Sequence, residues 1–362
     1  MISCLSPNGT TTVEGTSLPD RLVVGTLEGV VTAERHGQEW EVAAHGLPDR
    51  HIASVHYEPT RERVYVCSYG GGIFASEDGG ITWEEIGQAL GDRMLFTIAS
   101  RAVGDRVRLY VGTEPVALFT SSDDGRSWSE LPAITQVPGR EHWTFPAPPH
   151  AAHLKSITFD PTDDHAFYVS VEQGGLFFTV DDGEHFVELE GVAQDDDAVY
   201  KDVHRVVIDP ANRDRLFITG GDGLSVSEDK GQSWRRVHGS SWTIGYPDAM
   251  VVDPREPSRM YFAGGAFGPG QWRRTGSANA HVARSRDGGR TWEVADSGLP
   301  DPLRGNIEAM SLSSAPDGSC LYAGTTDGEV YQSRDGADSW QLVLKGLAPV
   351  SKGGHYAGLQ LR

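Results

Sequence analysis

A short run of the form Ser-x-Asp-x-Gly-x-Ser/Thr-Trp recurs along this chain, and an internal repeat restricts the fold more than any other sequence feature. SEDGGITW starts at Ser76, SSDDGRSW at Ser121, SEDKGQSW at Ser227 and SRDGGRTW at Ser285. SRDGADSW, from Ser333, carries Ala337 where glycine stands elsewhere. TVDDGEHF, from Thr179, changes both ends, and TAERHGQEW, from Thr32, is one residue longer. The closing aromatics are Trp40, Trp83, Trp128, Phe186, Trp234, Trp292 and Trp340, spaced by 43, 45, 58, 48, 58 and 48 residues. Around each copy the grammar is the same. VHRVVIDP, RLFIT, GLSVS and SWRRV are short β-rich runs bounded by Gly, Pro, Asp or Asn, which read as four antiparallel strands. Helical periodicity is nowhere sustained. Seven four-stranded units predict an all-β, seven-bladed β-propeller.

Within the motif, Asp accepts backbone N–H bonds in the turn, Gly takes a positive φ, and the aromatic packs between sheets. The motif resembles the Asp-box, or BNR repeat, of sialidase-like propellers, sortilin-type receptor domains, xyloglucan hydrolases and a photosystem assembly factor. The resemblance implies a structural role for Asp78, Asp123, Asp229, Asp287 and Asp335, on the face away from the usual active site. Sialidase chemistry is disfavoured, because no Arg motif precedes the first repeat.

The chain enters on RLVVGT (21–26), which matches the second strand of a unit. Residues 1–19 therefore read as an N-terminal tail and 20–362 as the propeller. The tail segment HYAGLQL (355–361) is expected to supply the missing first strand of blade one and close the ring, removing an open edge.

The formal charge of −20 argues against nucleic acid or an anionic membrane as partner. Cys4, Cys67 and Cys320 form neither a disulfide framework nor a zinc motif. The first residues lack the basic and apolar regions of a secretory signal, so a cytoplasmic location is expected, or an extracellular one if a leader has been removed.

Candidate chemistry lies where the innermost strands enter the channel. Aligned on their DP or EP endings, or by pattern alone in blades three, seven and one, the blades carry Ala53, Leu95, Lys155, His204, Asp248, Glu308 and Tyr356 five residues upstream. Seven residues upstream they carry His51, Arg93, His153, Asp202, Tyr246, Asn306 and Gly354. Both sets share one strand face. Two long connections reach the same end: residues 136–153, with His142, Trp143, Phe145 and His150, and residues 265–281, with Trp272, Arg273 and Arg274. Aromatics with Arg suit a sugar, a carboxylate or an aromatic ligand.

Three chemistries follow. His153, His204 and Asp202 offer imidazole and carboxylate ligands for a divalent metal such as Zn, Mn, Ca or Cu. Asp248 and Glu308, on neighbouring blades, form a carboxylate pair of the kind that hydrolyses glycosides. Lys155, His204 and Tyr356 can instead take and return a proton, as in an eliminating lyase. His51, Arg93, His150, Tyr246, Trp272, Arg273, Asn306 and His355 complete the expected binding surface. The reading is an enzyme acting on a small polar or carbohydrate-like ligand. The alternative is a non-catalytic propeller that binds proteins or ligands.

Overall fold

The computed structural model describes residues 1–104, 106–146, 148–192, 201–237 and 244–353. Its described strands form seven sheets, one per repeat, each with at least four strands. Blades two to seven are antiparallel meanders. Blade five runs Val203–Asp209, Asn212–Gly220, Gly223–Ser227 and Arg235–Val237 from channel to rim. Strands one and three run toward the motif face, and strand two returns. The apolar clusters lie between blades rather than within one sheet. At the ring seam, Leu22 and Val24 of blade one pack with Ala309, Tyr322 and Val330 of blade seven. Trp40 meets Tyr322 edge-on with centroids 5.9 Å apart.

The motif turns are built as their chemistry requires. In SEDKGQSW, Asp229 Oδ1 accepts from Ser227 Oγ (2.8 Å) and from the backbone N–H of Ser233 (2.9 Å), while Oδ2 accepts from Ser233 Oγ (2.6 Å). Trp234 Nε1 donates to the Gly231 carbonyl (3.1 Å), and Gly231 sits at φ +86°. The aspartate bonds recur at Asp78, Asp123, Asp287 and Asp335, whereas Trp340 Nε1 donates to the Ala295 carbonyl. Even Ala337 adopts a left-handed φ of +64° in place of glycine. Every one of these aspartates is spent on holding a turn.

Closure is achieved differently from the sequence expectation. The channel-side partner of Arg21–Thr26 is Ile2–Leu5, running parallel with Ile2 opposite Arg21 and Leu5 opposite Val24. The segment 355–361, assigned that position from the sequence, lies outside the described residues. The C-terminal end still ties the seam: Leu27 N–H donates to the Pro349 carbonyl (3.0 Å) and Val350 N–H to the Thr325 carbonyl (3.1 Å). Residues 1–19 are thus no detached tail. After Leu5 the chain turns inside the channel. Thr12–Glu14 then runs parallel to Ile307–Ala315 as a fifth strand of blade seven. Cys4, Leu5, Ser6 and Asn8 are buried. The signal was a short β-capable run, ISCL before Pro7, without the turn grammar of the repeats.

Hydrogen bonds hold the Asp229 carboxyl at about 2, chiefly those from Ser233 and Ser227. A carboxyl lowered on folding stabilises above its unfolded pKa, near 3.9, and that contribution fades as pH falls through the folded value. Asp229→Asn is expected to lower Tm by a constant amount above pH ~4, with the gap to wild type closing toward pH ~2. Thermal melts across that range check it, and a gap independent of pH would contradict the turn's dependence on the ionised Asp.

Candidate functional site at the channel mouth

The innermost ladder breaks at the same place in six blades. Register shifts fall between Ile52 and Ser54, Leu95 and Thr97, Leu154 and Ser156, Val203 and Arg205, Pro247 and Ala249, and Ile307 and Ala309. The extra residues are Ala53, Phe96, Lys155, His204, Asp248 and Glu308. A bulge of this kind leaves a residue unpaired and re-aims its side chain, and bulges concentrate beside active sites. Here they put the side chains of four successive blades together at the mouth opposite the motif turns.

The result is a buried ionic cluster. Glu172, on the end of Phe167–Glu172, lies at its centre. Lys155 Nζ is 2.9 Å from Glu172 Oε2 and 3.4 Å from Asp248 Oδ1. Lys352, from the segment after the last repeat, reaches the same two carboxylates at 3.3 and 2.5 Å. His153 Nε2 lies 2.7 Å from Glu172 Oε2, and its Nδ1 3.3 Å from Glu114. His204 Nδ1 donates to the Pro247 carbonyl (2.8 Å). Asn306 Nδ2 donates to Asp248 Oδ2 (2.9 Å). Glu308 Oε2 accepts from Ser351 Oγ (3.1 Å) and the Lys352 N–H (2.9 Å). Lys155, Glu172, His204, Asp248, Glu308 and Lys352 are all less than 5% exposed.

Burial and charge pull the two lysines apart. Burial pushes the Lys155 ammonium down, partly offset by Glu172. Burial also opposes charge on Lys352, but Asp248 and Glu172 overcome it and hold that ammonium well above its usual range. Asp248 is buried, yet Lys352, His204 and Lys155 keep its carboxyl well below the ordinary carboxylate value. Glu172 is lowered in the same way, against its burial, by Lys155 and Lys352. For His204, burial and the lysines press downward, and Asp202 with Asp248 reverse the sign.

Most of the residues expected from sequence meet here. His153, Lys155, Asp202, His204, Asp248, Asn306 and Glu308 join the cluster. Tyr246 borders it, its ring 4.7 Å from His204 and 5.6 Å from Lys352 Nζ. His51 lies at the edge, bonded to the Ser351 carbonyl at 3.2 Å and held near pKa 4 by burial. Trp272 is buried behind Tyr246 on the short helix Pro269–Thr275 and supports it rather than facing a ligand. Three expectations are corrected. Blade three has no DP anchor, and its register is one residue later, so Phe96 takes the ring position and stacks on His153 at 3.9 Å. Arg93 instead lies over Phe119, 5.1 Å from its centroid, and donates to the Leu90 carbonyl. His150 and Arg273 are exposed, with His150 Nδ1 bonded to the Phe145 carbonyl. His355 and Tyr356 lie outside the described residues.

The sequence alignment missed Glu172, Glu114 and Lys352. Both glutamates end second strands, a column that was not compared across blades. Lys352 had one signal: it is among only five lysines in the sequence.

Two spaces lie apart from the cluster, neither lined by Lys155, Glu172, His204, Asp248, Glu308 or Lys352. The N-terminal segment plugs the channel beneath it: Arg205 Nη2 donates to the Pro7 carbonyl (2.8 Å) and Thr97 Oγ1 to the Asn8 carbonyl (2.8 Å). Below this plug, toward the motif face, a funnel of about 540 Å³ is lined by His56, Ser100, Thr158 and Pro254. On the outer rim, a cleft of about 480 Å³ opens beside Arg140, Glu141 and Trp143.

No family model matches the chain. Curated relatives are a xyloglucanase of Paenibacillus sp, 24% identical over 214 residues, and xyloglucanase Xgh74A of Acetivibrio thermocellus, 23% identical over 165. These matches cover 54% and 41% of the chain but only 19% and 18% of the relatives. Among solved structures, an ancestral GH74 enzyme aligns with a TM-score of 0.59 at 16% identity, over 80% of this chain and 38% of that one. YCF48 bound to D1 peptide aligns with a TM-score of 0.55 at 16% identity, over 88% and 89%. The chain is a seven-bladed, xyloglucanase-like propeller in fold. Among the described residues no helix is long and apolar enough to cross a membrane.

Removing one partner of a buried ion pair typically costs about 3–5 kcal/mol, because the other charge is left uncompensated. Lys352→Met is expected to destabilise by about that much. Adding Asp248→Asn should recover part of the loss, as a double-mutant cycle in denaturant would show. Strictly additive losses would contradict direct coupling between the two groups.

Proposed function

We propose that this propeller is an enzyme of hydrolase or lyase type that takes a small polar, carbohydrate-like ligand at the bulged channel mouth. One observation carries the reading: four successive inner strands deliver Lys155, His204, Asp248 and Glu308 to a single point from bulged positions. A scaffold needs no such convergence, and burying these charges opposes folding unless each is paired. Perturbed titrating groups gathered in one place are a mark of functional sites.

Two amines shifted in opposite directions divide the roles. Lys155, pushed down by burial, is the proton acceptor. Lys352, kept charged by Asp248 and Glu172, supplies positive charge where a substrate carboxylate or oxyanion develops. Glu308 stands on the far side with Ser351 and returns a proton. Asp248 orients both lysines. Ligand reaches the mouth past the Ser351–Lys352 segment that crosses it. The xyloglucanase relatives support a carbohydrate.

A second reading has its own support. YCF48, a propeller matched along nearly the full length of both chains, is recorded with a bound peptide. The cleft at Arg140, Glu141 and Trp143 combines an aromatic ring with both signs of charge, a combination suited to a peptide.

Wild-type protein assayed on xyloglucan, for reducing ends, and on polyuronates, for unsaturated products, is expected to turn over at least one of them. Lys155→Arg keeps the ion pairs but replaces an amine whose charge burial opposes with a guanidinium that stays protonated. It should lower kcat by about 10²–10⁴ while the fold survives. Inactivity of the wild type on both polymers, or full activity of Lys155→Arg, would overturn the proposal in favour of binding.

A further inference from the structure

We propose that Glu172, Asp202 and His204 form a binding site for a divalent cation of the borderline class, with Zn²⁺ the best match. The inference deepens the channel-mouth reading and rests on it only for its location. The ligand atoms are His204 Nε2, Asp202 Oδ1 and Glu172 Oε1, mutually within 4.8 Å. His204 Nε2 stands 3.4 Å from each of the two oxygens. A tetrahedral ion with bonds of about 2.1 Å has donor–donor edges of roughly 3.4 Å. The two edges from His204 Nε2 match that spacing.

The orientation of the ring supports the same conclusion. His204 Nδ1 donates to the Pro247 carbonyl, which orients the ring with Nε2 toward the two carboxylates. An outer-shell bond of this kind is the usual way a metal-ligating histidine is held. Nε2 and Asp202 Oδ1 are buried atoms with no hydrogen-bond partner.

The ligand set changes from the one read in the sequence. His153 is not a ligand: its Nε2 is 2.7 Å from Glu172 Oε2 and its Nδ1 faces Glu114. It positions Glu172, whose other oxygen, Oε1, faces His204.

The test uses the full chain without an affinity tag, stripped with chelator and titrated calorimetrically with Zn²⁺ alone. The expected result is one ion per chain, with Tm raised by roughly 5–10 °C at about 100-fold over Kd. Co²⁺ in its place should give the visible absorption of a tetrahedral N/O site. Asp202→Asn and His204→Gln should each weaken Zn²⁺ binding by at least 10-fold. Asp202→Asn is the safer variant, since it preserves shape at the edge of the cluster. Absence of binding to the wild type would mean that His204 is an imidazolium and would overturn the proposal. So would unchanged affinity in a folded Asp202→Asn protein. Binding is read without turnover, so it stands or falls separately from activity on xyloglucan or polyuronate.

Discussion

The structure turns on a backbone constraint, the bulge repeated near the entrance of six innermost ladders. A regular antiparallel ladder alternates side chains between two faces and would leave half of the channel-end residues turned into the blade interfaces. An extra residue at each entrance turns one more side chain toward the axis. In blades four to seven that residue is ionisable. In blades two and three it is Ala53 and Phe96, and Phe96 stacks against His153. The cluster is therefore one-sided, and its charges meet across the axis instead of facing water.

Once gathered there, the charges must be compensated, and the rest of the upper face serves that end. Second-strand ends contribute Glu114 and Glu172, and the segment beyond the last repeat folds back to insert Lys352. The N-terminal segment seals the floor and takes Arg205 through the Pro7 carbonyl. The opposite face shows the contrary use of the same residue type. Each motif aspartate is exposed or half-buried, bonded within its own turn and committed to local structure. One propeller thus separates architecture from chemistry by face.

The division was largely legible in the sequence. The motif spacing counted the blades, and DP endings fixed the register where they occur, so Lys155, His204 and Asp248 were placed on one ring without coordinates. Where the anchor is missing, in blade three, the register slipped by one residue, and Leu95 was put where Phe96 stands. A one-residue slip moves every side chain to the other face, so such an error is complete rather than partial. Glu172 and Lys352 were illegible for another reason. They come from a different strand and from beyond the repeats, and only the closed ring brings Lys352 within bonding distance of Glu172 and Asp248. The Ile2–Leu5 strand was missed because parallel pairing to blade one leaves no hairpin signature.

The central claim is that the mouth cluster is kept for function and not for stability. The most direct measurement is thermal unfolding of the fourfold variant Lys155→Met, Glu172→Met, Asp248→Leu, Lys352→Met. Buried ion clusters replaced by well-packed apolar groups of similar volume often leave stability equal or higher, by about 1–4 kcal/mol. The account predicts a cooperative melt with Tm at or above that of the wild type. A fall in Tm of roughly 10 °C or more, equivalent to several kcal/mol, would contradict it and make the cluster part of the architecture.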